Sequence, residues 1–268
     1  MENGNGIPEY GYEETTNVEE EAHENGQADV GKVMPFLDHL EELRRRILIS
    51  LAGVVAGATV CYVFSDLILA VLIRPVTILG IELITLRPIG MFMVKLKASL
   101  VGGLILALPL VLYQIWAFVA PGLLERERRY VPGVITLTVI CFLIGALVAY
   151  FGVFPLALKF LAGMATEGVR NQFNINDYIG FMLRLLLAFG AVFELPMLAF
   201  FLTKIGLLSP EFLRRQRKYA IVGVVVVAAV LTPPDVFSQL MMALPLLVLY
   251  EISILVSMVA IRSRRSAV

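Results

Sequence analysis

Histidine is nearly missing from this 268-residue chain: there are two, His23 and His39, both ahead of the first long apolar run. No histidine therefore lies in an apolar segment, where it could serve as a base or a metal ligand. Cysteine is equally scarce. Cys61 and Cys141 each sit inside an apolar run, with no CxxC spacing and no histidine nearby, so buried free thiols are the plain reading. The patterns GxSxG and HExxH are absent, which removes the support for an intramembrane protease. No metal, cofactor, nucleotide site or nucleic-acid partner is expected. Charge is also thin, at 16% of residues against 59% hydrophobic, whereas soluble domains are about half apolar. A soluble domain is excluded, and the bilayer is the expected solvent.

Six apolar runs are present, near 47–64, 98–119, 133–158, 178–203, 219–232 and 237–261. Most are long enough to cross a bilayer as helices. The fifth is short: Tyr219 to Leu231 makes about 20 Å of helix against a hydrocarbon core of ~30 Å. Its flanks, "RRQRK" and "TPPD", still argue for a crossing, and an even number of spans puts both termini on one side. The rival topology is a re-entrant hairpin formed by the last two runs.

The equal totals of 22 basic and 22 acidic residues conceal a division. Residues 1–33 carry nine acids and one base, leaving 21 bases and 13 acids for the rest. The leader has few apolar residues and no sustained period, so it reads as a disordered acidic tail. Residues 34–261 form the expected membrane domain, and 262–268 a short basic tail. With the N-terminus in the cytoplasm, fourteen Lys and Arg fall inside and six outside, namely Arg74, Arg87, Lys95, Lys97, Lys159 and Arg170. That bias places both termini in the cytoplasm.

The remaining candidates are carboxylates. In "MPFLDHLEELRRRILIS", Pro35 suits an early helical position, and Phe36, Leu37, Leu40, Leu43 and Ile47 line one face of an amphipathic helix. Glu41 and Glu42 are each followed four residues later by an arginine, Arg45 and Arg46, so spacing alone favours solvated intrahelical pairs. Glu125 and Glu127 lie in "ERERR", by default a charged loop that stays out of the bilayer. Glu194 is different: it is set in "AFGAVFELPM", deep in the fourth run, where a charge is costly and usually faces protein or water. Glu251, in the last run, lies at a similar depth from its basic flank and is a candidate hydrogen-bond partner for it. Arg184 is ten residues from Glu194, too far along one helix to pair with it.

The blocks "HLEELRRR", "LPLVLYQIWAFVAPGLLERERRY", "AYFGVFPLALKFL", "AFGAVFELPM" and "LLTPPDVFSQLMMALPLLVLYEI" resemble, in order and spacing, those of the TatC family, the polytopic core subunits of the twin-arginine protein translocase. The resemblance covers roughly residues 34–261. It implies an all-α integral membrane protein of six transmembrane helices forming a concave, cupped bundle. It also implies a receptor for paired-arginine signal peptides that helps to export folded proteins, driven by the protonmotive force, and that is not an enzyme.

By the same resemblance, the twin arginines meet Glu42 and Glu127. A guanidinium offers a planar fork of donors that carboxylates accept pairwise and that lysine cannot imitate. Exposed ion pairs are weak, so selectivity requires a partly dry pocket or several coordinated contacts. The resemblance places Glu194 on the concave face, engaging a polar group in the single transmembrane helix of a TatA or TatB type partner. A structural role for Glu194, hydrogen-bonded to another helix, carries equal weight. Pro196 is positioned to bend the helix there. In "TPPDVFSQ", Asp235 and Gln239 share one face and match a partner-docking block, although Asp235 equally suits a helix cap. Glu251 is a further docking candidate, and self-association is left open.

One departure stands out. The first outer loop reads "LITLRPIGMFMVKLKASL", where many relatives carry an acidic or polar residue around Arg87 to Gly90. The alternative function, a proton-coupled small-solute carrier titrating Glu194 and Glu251, would call for internal repeats. None is visible.

Overall fold

The structure, a computed structural model, describes residues 1, 16–119, 131–164, 172–232 and 235–265; the side chains of 16–37, 131 and 262–265 are outside that description. The chain divides into two units, Met1–Leu48 and Ile49–Val268. The first unit holds the leading part of helix α1 (Thr16–Val63). The acidic leader therefore splits: residues 2–15 are not described, and from Thr16 on the backbone is helical. Glutamate is a good helix former, and acids at a helix start favour its positive end, which accounts for helix where composition alone pointed to coil. Pro35, expected near a helix start, lies inside α1.

In the second unit, the end of α1 is followed by α2 (Ser65–Ile78), β1 (Glu82–Ile84), α3 (Gly90–Val119) and α4 (Val131–Val148). A π-helical turn, Ala149–Val153, joins α4 to α5 (Phe154–Gly163). Then come β2 (Gln172–Asn174), α6 (Ile175–Val192), α7 (Leu195–Lys204), α8 (Pro210–Arg215), α9 (Arg217–Leu231) and α10 (Val236–Arg265). Among the described residues, five stretches are long and apolar enough to cross a membrane: Asp38–Val63, Gly90–Val119, Pro132–Gly163, Ile175–Lys204 and Val236–Ile261. The remaining apolar run forms α9, whose 15 residues make about 22 Å of helix.

The loop after the first span has more order than expected, because α2 was not foreseen. Its Pro75 lacks an N–H, which releases the carbonyl of Val71 one turn earlier. The hydroxyl of Tyr150 donates to that carbonyl at 2.7 Å, and Tyr178 donates to the neighbouring Leu72 carbonyl at 2.9 Å. Both tyrosines come from spans, so these bonds fasten α2 to the helices beside it. Gly80, with φ of 68°, ends α2: its N–H bonds to Thr77 O and that of Ile81 to Val76 O, a pairing that needs the left-handed region at the glycine. The chain then enters β1, which pairs in parallel with β2 in the register Glu82 with Gln172, Leu83 with Phe173 and Ile84 with Asn174. We call this the strand end of the spans.

Helices approach closely where side chains are missing. A Cβ on Gly103 of α3 would lie 2.2 Å from the backbone N of Ala58 in α1, and one on Gly57 would lie 2.7 Å from Gly103 O. In a bilayer, where lipid is as apolar as leucine, such small-residue contacts are what bring helices together. Gly145 of α4 is equally tight, its would-be Cβ falling 2.6 Å from Phe189 O of α6. The core follows these crossings, with Phe154, Ile179, Met182, Leu185, Phe189, Met242 and Leu246 fully buried.

Candidate functional site

The fourth span is broken at its carboxylate. Helix α6 ends at Val192, Phe193 and Glu194 form a turn, and α7 begins at Leu195 with Pro196 in its first turn. The cause is local, because Pro196 cannot donate to the Val192 carbonyl and the ladder shifts: Glu194 N bonds to Ala191 O at 3.2 Å, and the α pattern resumes with Leu198 N to Glu194 O at 2.8 Å. Where a bend was expected at Pro196, the helix is interrupted. The Glu194 carboxyl turns toward Cys141 and the Phe142 backbone of α4. Both of its oxygens are buried, and neither makes a hydrogen bond of ordinary geometry among the described residues. An acid held out of water with its acceptors unused is a group prepared for a further donor.

Glu251 is not that donor. It pairs instead with Arg217 at the start of α9, N to O 2.7 Å, with both side chains about half exposed. The expected contact between Glu194 and Glu251 is therefore absent, and the titrating pair of the carrier alternative is not assembled. The reason is the shortness of α9, which brings its leading arginine level with Glu251. Arg184 stays apart from Glu194, as expected, and its Nε donates to Gly180 O at 3.0 Å.

Asp235 caps α10, its Oδ1 accepting from Ser238 N at 2.6 Å, while Oδ2 is buried without a partner among the described residues. Gln239 reaches across and donates from Nε2 to Val225 O of α9 at 3.2 Å. One of the docking candidates thus ties the start of α10 to the middle of α9, and Pro233 and Pro234 between the two helices lie outside the described residues.

In the first unit, Glu42 accepts from Arg46 through both Nε, at 3.0 Å, and Nη2, and His39 Nδ1 lies 3.7 Å away. Of the two intrahelical pairs suggested by spacing, only this one forms; Glu41 has no ion pair among the described residues. Glu127, the other expected acceptor, lies outside the described residues.

One fastening was not legible in advance. Thr203 of α7 and Ser257 of α10, both fully buried, share a hydrogen bond of 2.6 Å and join the fourth and last spans beyond the break. Two hydroxyls in apolar runs 54 residues apart give no sequence signal.

A mostly helical polytopic membrane protein with a carboxylate buried at a broken span and an acidic, arginine-forked amphipathic segment is the class these features define. The family model described as "Sec-independent protein translocase protein (TatC)" matches residues 38–245, and this chain belongs to the TatC family. The TatC protein of Carboxydothermus hydrogenoformans is 44% identical over 84% of this chain and 93% of its own length. That of Escherichia coli (strain K12) is 40% identical over 85% of this chain and 90% of its own. The solved crystal structure of a twin-arginine translocase receptor, TatC, superposes with a TM-score of 0.77 at 40% identity, covering 83% of this chain and 99% of that one.

Proposed function

We propose that this chain is the signal-peptide receptor and core subunit of a twin-arginine translocase, with Glu42 and Glu127 accepting the paired arginines of its cargo. The observation that carries the reading is the Glu42 carboxylate, which already takes a guanidinium through two nitrogens of its fork. A signal arginine presents the same fork, so it competes with Arg46 on equal chemical terms, whereas a lysine offers a single nitrogen. The likeness to a solved translocase receptor supports the assignment.

Glu194 then belongs to assembly. Its buried, unused oxygens suit a polar group on the transmembrane helix of a TatA or TatB type partner, with Asp235, Gln239 and Glu251 as secondary docking candidates. Six crossings, both termini in the cytoplasm and residence in the inner membrane complete the reading. It involves no catalytic step.

The test is binding of Arg-Arg and Lys-Lys signal peptides to the full chain in nanodiscs, for wild type, Glu42→Gln and Glu127→Gln. The expected result is a preference for Arg-Arg that either substitution erases. Equal binding of the two peptides by wild type overturns the receptor reading.

A further inference from the structure

Two cavities of about 380 and 360 Å³ open at the strand end between α3 and α6, and both are lined by Lys97, Asn176 and Asp177. The first adds Arg87, and the second adds Arg184 above the apolar side chains of Leu100 and Leu187. Three cations thus face one carboxylate. All four side chains are exposed, and among the described residues none of Arg87, Lys97 and Arg184 forms an ion pair. The contrast with Lys95, two residues from Lys97, is direct: it lies 2.7 Å from Asp66 and is neutralised.

Arg184 is the most telling member. It sits about 13 Å along α6 from Ile175, at a depth where an unpaired cation is costly. Its Nε bond to Gly180 O turns the side chain back toward the strand end, the snorkelling posture of an arginine reaching for headgroups. Lys97, part of the way down α3, reaches the same level.

From this geometry we infer a binding site for an anionic phospholipid of the leaflet at the strand end. Its phosphate lies between Lys97 and Arg184, its headgroup extends toward Arg87, Asn176 and Asp177, and its first acyl methylenes run along Leu100 and Leu187. Charge complementarity selects the occupant: the cluster carries an excess of two positive charges, and its lower wall is apolar where an acyl chain would continue. The site does not depend on the signal-peptide reading, since Glu42, Glu127 and Glu194 take no part in it.

Native mass spectrometry of the full chain, released from detergent with equimolar phosphatidylglycerol and phosphatidylcholine of matched chains, tests this. Retention of phosphatidylglycerol is expected. Each of Lys97→Gln and Arg184→Gln should lower the preference by roughly fivefold, the worth of one cation near an anionic surface, and the double variant should abolish it. The charge-conserving pair Lys97→Arg with Arg184→Lys should keep it, as should Lys159→Gln, an exposed cation outside both cavities. Equal retention of the two lipids, or a preference that survives the double variant, overturns the site. So does displacement of the lipid by millimolar glycerol phosphate, which would mark an anion pocket, or cross-linking from position 97 to a protein partner in place of lipid.

Discussion

At the scale of single residues, two glutamates are held in opposite ways. Glu42 lies at the side of a helix, forked by Arg46 and approached by His39, while Glu194 is half-buried, with both carboxyl oxygens covered and neither in an ordinary hydrogen bond among the described residues. Removing the competitor at the first should expose the acceptor. Arg46→Gln is therefore expected to strengthen binding of an Arg-Arg peptide modestly, by up to about fivefold, the limit for an exposed pair; titration of a labelled peptide reads it, and weaker binding would mean that Arg46 itself contacts the signal. At the second, Glu194→Gln keeps the shape and gives up only the charge. Folding and signal binding are expected to persist while co-purification of TatA or TatB type partners falls, and loss of signal binding with assembly intact would contradict the assignment. Both glutamates were legible in the sequence, one by its arginine spacing and the other by its isolation among apolar residues. The partner of Glu251 was not, because its pairing with Arg217 depends on where the short α9 begins relative to α10.

Between elements, the fold relies on backbone groups set free by proline and on helix faces stripped of side chains. The Val71 carbonyl has lost its helical donor to Pro75 and takes a phenol instead. Tyr150→Phe leaves that carbonyl without a partner and is expected to cost about 1–3 kcal/mol. Tyr178→Phe should cost less, because the Leu72 carbonyl keeps its place in the helical ladder. Combining Tyr150→Phe with Pro75→Ala, which restores a donor, should recover part of the loss, a non-additivity that unfolding in detergent would detect. The glycine crossing is less forgiving. Gly103→Ala places its Cβ against the backbone of Ala58, which cannot rotate away, so ~1–3 kcal/mol of destabilisation is expected. Gly133→Ala, whose Cβ would meet nothing within 4 Å among the described residues, is the matched control. Apolar periodicity could reveal the spans but not these fastenings. A proline reports a missing backbone donor and a glycine a missing side chain, and only the packed neighbours show what takes advantage of either. The same limit hid α2 and the β1–β2 pair, whose three-residue strands are too short to leave a pattern.

Over the whole molecule, the six apolar runs read from the sequence each fall in helix, but they do not match in length. Among the described residues five stretches are long enough to span, whereas α9 makes about 22 Å against a hydrocarbon core of ~30 Å. Its first residue, Arg217, is fixed to Glu251, and its middle is held by the bond from Gln239 at the start of α10 to the Val225 carbonyl. The helix therefore cannot slide along α10 to expose a longer apolar face, nor can it tilt to fill the gap, since tilting shortens its reach. The bilayer must adjust, at a fraction of a kcal/mol for each ångström of mismatch. A thinner bilayer should consequently favour the folded chain. Thermal unfolding in nanodiscs of phosphatidylcholine with 14-carbon chains is expected at a higher temperature than in 20-carbon chains, and Arg217→Gln, which unpins one end of α9, should narrow the difference. If the order is reversed, with the thicker bilayer stabilising, then the longer helices set the hydrophobic thickness, and α9 must be screened from lipid by protein instead.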